Sequence, residues 1–435
     1  MSRQSANPPA PLALALPAPT RAPVPEIFVP QFTQARQSHS WWVRAVNRVG
    51  GSLEPLGRPD AARYWEIAQR RQPDAGDPTP DTQAALHALV ESLNEDAALN
   101  FIGKIAARID CTRMATTHLG VEKALRDTPG VESIELPSPV FVLGLFRSGT
   151  TFLHRLLAQD PDSRTLPHWE SFDPVYTPEG PQPRQRKLAF NLGLADSLSP
   201  NIRAIHPMDA DQTDECRGLF TNVFRTLQFN VQYHVPAYVD WLLVQDSRIA
   251  YRHYLRQLQL IHHHRPSGKR FVLKDPTHTF FVDTITQIFP RARFVFIHRN
   301  PVDTLSSICS LHAYTRSVFS TDVDAKALGQ ELPNSYLMRM LEPAVATVDK
   351  LPANRVAHIR SPDLGRDPVG TIATAYRELG MELTEDASAA MEAYVRAKRE
   401  KSSPRHVHDA EGFGLDSAAI QERFADYCDR FDLLS

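Results

Sequence analysis

Residues 139–144 read Pro-Val-Phe-Val-Leu-Gly, and residues 147–151 read Arg-Ser-Gly-Thr-Thr. So short an apolar run, closed by glycine, has the pattern of a strand buried on both faces of a parallel sheet. Residues 150–157 then have helical character. A strand that passes through a glycine-bearing turn into a helix points to an α/β fold, because parallel strands need crossover connections. The same turn aims backbone N–H groups at an anion, and the helix dipole adds to the attraction. Gly149 lets the backbone approach closely. Thr150 and Thr151 supply hydroxyls, and Arg147 can form charge-assisted hydrogen bonds worth roughly 1.5–3 kcal/mol each.

More of the chain follows this alternation. Apolar runs at 271–274, 293–298 and 356–359 read as buried strands, and 163–166 as a second strand beside the first. Phe281, Ile285 and Ile288 mark a helix closed by Pro290. The fold expected is a three-layer, P-loop-like α/β domain over 136–435, with a parallel sheet and helices on both faces. An N-terminal helical segment over 31–135 precedes it. There Asp81 and Thr82 look like a cap for a helix through Ala84, Leu86, Leu89, Val90 and Leu93, with a second helix over 95–107. Residues 1–30 are rich in Pro and Ala and are expected to be disordered.

The loop differs from a nucleotide triphosphatase. Gly144 and Gly149 keep the GxxxxGK[ST] spacing, but Thr150 stands where the lysine belongs and the basic residue is Arg147. By itself the loop is equally well explained as a capped strand–helix turn. A second constellation is Arg299 at a strand exit with Ser307 eight residues on. In doubly wound sheets, active groups collect at the carboxyl ends of strands, so Arg299 and Arg147 can face one crevice. Lys274 ends another strand and points the same way. Taken singly, a surface arginine and a strand-end lysine reaching water are the commoner outcomes.

Together these segments resemble the sulfotransferases that use 3′-phosphoadenosine-5′-phosphosulfate. The likeness is greatest to bacterial members with an LKxPxH segment, here Leu273 to His278, and more distant to tyrosylprotein sulfotransferases. The RSGTT loop and the FPxAxFVxxHRxP pattern from Phe289 to Pro301 complete it. The resemblance implies that Arg147, Ser148, Gly149, Thr150 and Thr151 hold the 5′-phosphosulfate of this co-substrate and that Arg299 and Ser307 hold its 3′-phosphate. It implies that Lys274 contacts the transferring group. The histidine base of the cytosolic enzymes falls at Pro276, so that role does not carry over. By offset from the loop, the base is His168 or Glu170, with His278 as a third candidate and His206 behind it. The implied acceptor is a small molecule, glycan or lipid bearing a hydroxyl or amine, and no metal is required. The alternatives are a P-loop kinase and a non-catalytic nucleotide-binding relative.

Composition bounds the rest. Hydrophobic residues make up 42% of 435, enough for a large core, and the net charge of −2 argues against nucleic acid as a partner. The oligomeric state is left open. The four cysteines are widely spaced and read as reduced thiols. No run is long enough for a membrane helix, so a cytoplasmic location is expected. The acidic run of His206, Asp209, Asp211, Asp214 and Glu215 fits an acceptor-facing wall or a metal site, with a solvated helix start the commoner outcome, and His262 to His264 read as a solvated helix end rather than a chelator. Phe224, Phe229, Tyr233, Tyr238 and Trp241 fit either an acceptor-pocket lining or core packing, with core packing the commoner outcome. Lys398, Arg399, Lys401 and Arg405 are only a weak second candidate for the 3′-phosphate.

Overall fold

A computed structural model describes residues 27–28, 41–50, 57–198, 208–321, 323–400, 405–406 and 410–434. Most of segment 1–30, His206 and Lys401 lie outside the described residues. Ile27–Phe28 pairs in parallel with Arg405–His406.

Among the described residues four helices come first: α1 (Trp41–Gly50), α2 (Ala61–Arg71), α3 (Pro80–Glu95) and α4 (Phe101–Asp127). Asp81 and Thr82 sit inside the first turn of α3 rather than capping it. Thr79 is the N-cap residue and Pro80 opens the helix, where a missing N–H costs nothing. The expected helix over 95–107 is displaced. Ala98 takes a φ of 45°, and the Asn100 side chain accepts from the Gly103 N–H at 2.8 Å, so α4 starts at Phe101 and runs 27 residues.

The sheet is built from β1 (Val140–Leu143), β2 (Ser163–Arg164), β3 (Arg270–Lys274), β4 (Arg293–His298) and β5 (Val356–Arg360). All pairings are parallel, in the order β2-β3-β1-β4-β5. The second strand therefore lies at the edge, separated from β1 by β3. It is two residues long because Thr165 to Pro167 turn away to pair Pro167 with Thr213. Between the strands run α5 (Thr150–Leu157), α6 (His168–Phe172), α7 (Gln182–Leu198), α8 (Arg217–Thr221), α9 (Ser247–His264), α10 (Val282–Ile288) and α11 (Pro301–Phe319). After β5 come α12 (Pro368–Glu378), α13 (Glu385–Glu400) and α14 (Ala425–Arg430).

Strand periodicity divides the core in two. Phe141, Leu143, Phe271, Leu273, Phe294 and Phe296 face one cluster, shared with α2, α3, α4 and α9. Val140, Val142, Val272, Val295 and Ile297 face a second, closed by α5, α12 and α13. Aromatic residues and leucines of the strands thus face one side, and β-branched residues the other. All four cysteines are buried free thiols. Among the described residues no helix is long and apolar enough to cross a membrane.

The N-terminal helices are not a separate layer. Gly103 on α4 crosses α11 so closely that an added Cβ would stand 2.0 Å from the Phe319 carbonyl oxygen. Gly103→Ala is expected to destabilise the protein by ~1–3 kcal/mol through forced backbone separation. Urea denaturation checks it, and an unchanged midpoint contradicts the close crossing.

Candidate functional site at the carboxyl ends of the strands

Gly144 leaves β1 with a φ of 147°, and a Cβ there would lie 2.7 Å from Ile297 Cγ2 and 2.8 Å from the Ile297 carbonyl oxygen. Only glycine fits that close approach of loop to β4. Thr279 Oγ1 accepts from the Gly144 N–H at 2.9 Å and donates to its carbonyl at 3.1 Å. Ser148 Oγ donates to the Leu145 carbonyl at 2.7 Å, closing the turn from inside. Arg147 has a φ of 67°, unusual for a residue with a Cβ and worth roughly 1–3 kcal/mol of strain. Its carbonyl accepts from Arg299 Nη1 at 2.9 Å and its own Nε donates to Ser307 Oγ at 3.0 Å. The loop, the exit of β4 and helix α11 are thereby tied together. Helix α5 starts at Thr150 after Gly149 at φ 106°, and its first-turn N–H groups face outward without helical acceptors. Burial, followed by the neighbouring Arg299 charge, lowers the Arg147 pKa. A bound anion would relieve both costs.

Lys274 ends β3 and is fully buried. A buried ammonium needs an anion, and Lys274 Nζ donates to Glu215 Oε1 at 2.7 Å and to Thr151 Oγ1 at 3.3 Å. The backbone brings Glu215 there, because the Cys216 N–H donates to the Lys274 carbonyl at 2.8 Å. Gln228 Nε2 donates to the other Glu215 oxygen at 3.2 Å. Burial, then the Glu215 charge, pushes neighbouring Asp275 up to about 6.

A cavity of about 1330 Å³ opens over this ground. Arg147, Gly149, Thr150, Thr151, Glu215 and Arg299 line its polar part. The rest is mostly apolar and drawn from α1, α4, α7 and α11, including Val46, Ile102, Met114, Leu192 and Leu311. Phe229 and Tyr233 also line it, whereas Phe224 and Tyr238 stay in the core. Residues 139–386 match the model described as the sulfotransferase family.

The chain belongs to the sulfotransferase family. It is 27% identical over 259 residues to omega-hydroxy-beta-dihydromenaquinone-9 sulfotransferase Stf3 of Mycobacterium bovis and of Mycobacterium tuberculosis, covering 58% of this chain. The match spans 64% of the length of those relatives. The crystal structure of sulfotransferase STF1 from Mycobacterium tuberculosis superposes with a TM-score of 0.70 at 28% identity, covering 85% of this chain and all of that one. Sulfotransferase STF9 from Mycobacterium avium shares the fold, with a TM-score of 0.77 at 24% identity over 86% of this chain and 97% of its own.

Within this site the candidate bases separate. The reading of Glu170 as a crevice residue depends on the second strand lying beside β1, and β2 lies beyond β3. Glu170 is buried between two guanidinium groups: Arg164 binds one oxygen and Arg265 Nη1 donates to the other at 3.0 Å. It is not part of the cavity lining. His278 is fully enclosed, its Nδ1 hydrogen-bonded with the Tyr251 hydroxyl at 2.8 Å. Burial, helped by Lys274, pushes it down to about 3. His168 does line the cavity, with Nδ1 3.1 Å from Asp214 Oδ2.

Glu215 lines the cavity, as the acceptor-wall alternative for the acidic run has it, though the sequence assigned it no part at Lys274; Arg155 and Arg217, also on the cavity wall, carried no sequence signal. Lys398 reaches the same wall, 3.8 Å over the Phe152 ring. His262 packs against Phe271 and His264 against Tyr176, so their rings diverge.

Removing one partner of a buried ion pair leaves an uncompensated charge, at a cost of ~3–5 kcal/mol. Lys274→Met is expected to lose stability of that order, and the double change Lys274→Met with Glu215→Gln to recover a large part of it. Equilibrium denaturation of the two single variants and the double variant reads the coupling. Strictly additive losses contradict a direct pair.

Proposed function

We propose that the chain transfers the sulfuryl group of 3′-phosphoadenosine-5′-phosphosulfate to a hydroxyl of a large apolar, lipid-like acceptor. The observation that carries this reading is the convergence of the 147–151 loop, Glu215 and Arg299 on the polar part of one otherwise apolar cavity, with Lys274 behind it bonded to Thr151 and Glu215, and Ser307 bonded to Arg147. The loop N–H groups, Arg147, Ser148, Thr150 and Thr151 would hold the 5′-phosphosulfate. Arg299 and Ser307 would hold the 3′-phosphate. A kinase reading is disfavoured by Thr150 in the lysine position and by His298 where β4 would offer a metal-holding acid. A glycan acceptor suits the apolar lining poorly. The Stf3 relatives are named for a hydroxylated dihydromenaquinone, and an acceptor of that kind suits such a wall.

In the step proposed, the acceptor oxygen forms a bond to sulfur on the face opposite the bridging oxygen. The bond between sulfur and that bridging oxygen breaks, and adenosine 3′,5′-bisphosphate leaves with the electron pair. Lys274 turns from Glu215 towards the bridging oxygen and, with Arg147, neutralises the charge that develops there. That turn frees Glu215 to take the acceptor proton. Glu215 suits this role because it borders both the cavity and the lysine at the loop. His168 with Asp214 is the second candidate. Glu170, held by two arginines, is assigned to stability.

Two outcomes follow. Calorimetry should show adenosine 3′,5′-bisphosphate binding about ten- to a hundredfold more tightly than adenosine 5′-phosphate. Equal affinities would falsify the Arg299 and Ser307 assignment. Glu215→Gln should lower kcat by about 10²–10⁴-fold and remove the acidic limb of its pH profile, with bisphosphate affinity kept. If Glu215→Gln stays active while His168→Asn does not, the histidine is the base.

A further inference from the structure

The apolar cavity does not close at the surface. Among the described residues, six of the nine exposed large hydrophobic side chains stand on three helices that line it, α1, α4 and α7; Tyr176, Val244 and Leu434 lie elsewhere. Trp41 is 75% exposed, Val49 60%, Ile109 60% and Phe190 49%. Val46 and Leu194 are exposed and line the cavity as well. On α1, Trp41, Ala45 and Val49 recur every fourth residue along an outward stripe, while Val43 and Gly50 are buried. On α7, Phe190 and Leu194 continue the line begun by Arg186.

Charge supplies the second observation. Arg44 and Arg48 flank the α1 stripe, with no acidic residue on that helix. Arg186 and Lys187 stand exposed one turn before Phe190, and α7 has a single acidic residue, Asp196. This local excess of cations sits on a chain whose net charge is −2. An amphipathic helix with tryptophan on one side and arginine beside it suits the boundary between headgroups and acyl chains. Basic residues at that depth are attracted to anionic lipid. A second copy of the chain would bring arginines against arginines here, which disfavours self-association through this face.

We propose that the face formed by α1, Ile109 and the exposed side of α7 docks on an anionic phospholipid bilayer. The cavity mouth then opens onto the lipid, and an apolar acceptor passes from bilayer to site without crossing water. The docking stands on exposure and charge alone. Only the delivery of the acceptor rests on the sulfotransferase reading.

Co-sedimentation of the full chain with vesicles tests it. Vesicles with one third phosphatidylglycerol in phosphatidylcholine should bind the chain at least tenfold more tightly than pure phosphatidylcholine, and less at high salt. Trp41→Ser with Val49→Ser, and separately Phe190→Ser, should each weaken binding at least tenfold. None of these three residues lines the cavity, so calorimetric affinity for adenosine 3′,5′-bisphosphate should not change. Arg186→Gln with Lys187→Gln should erase the preference for the anionic lipid. The proposal is overturned if the wild-type chain stays in solution with anionic vesicles, or if the apolar variants bind as the wild type does. It is also overturned if sedimentation velocity finds a dimer that Trp41→Ser dissociates, since the face then belongs to a second copy. Bisphosphate binding that persists through any of these results leaves the nucleotide site standing.

Discussion

Strand β1 is buried on both faces and hydrogen-bonded along both edges, so its exit is the point on which the site depends. It leaves against β4, in a gap that Gly144 fits and a side chain would not. The turn must then reverse into α5 within a few residues, and Arg147 accepts a left-handed backbone to do so. That strain is held by hydrogen bonds from outside the loop: Arg299 to the Arg147 carbonyl, and Arg147 itself to Ser307. Residues that the proposed function sets around the two ends of a nucleotide are thus the same ones that keep the loop in shape without it. Such preorganisation lowers the reorganisation needed on binding.

Much of this was legible in sequence, because it depends on local pattern. Short apolar runs in parallel strands, the glycines at 144 and 149, and Arg299 leaving a strand each follow from spacing along the chain. The parallel sheet and the family followed from them. Helix starts were less legible: α3 ends at Glu95 and Asn100 caps the start of α4, while the apolar periodicity runs through the gap between them. The order of strands was not legible at all, since β2 pairs with β3 through contacts more than a hundred residues apart. That one displacement moves Glu170 out of the crevice. For Glu215, the pairing with Lys274 was missed for the same reason in reverse. Its approach to Lys274 is set by the Cys216 N–H on the β3 terminus, a long-range bond with no sequence signature.

The cavity joins two unlike environments. Its polar part holds guanidinium groups, first-turn N–H groups and one carboxylate already bound to a lysine. Its apolar part is made by helices outside the sheet layers, which explains why the N-terminal helices pack into the same core as the strands. Burying Lys274 and Glu215 together is affordable only because each satisfies the other. On the proposed mechanism, the same pairing would withhold the carboxylate until another anion draws the lysine away. This couples arrival of the donor to release of the proposed base.

The most direct test of the account is a transfer experiment with donor carrying a radiolabelled sulfuryl group. The chain is incubated with it and a membrane-lipid extract, and the organic phase is counted alongside adenosine 3′,5′-bisphosphate in the aqueous phase. The account predicts label in an apolar product, equal amounts of bisphosphate, and loss of both with Lys274→Met. Release of bisphosphate without label in the lipid phase, or label transfer that survives Lys274→Met, would contradict it.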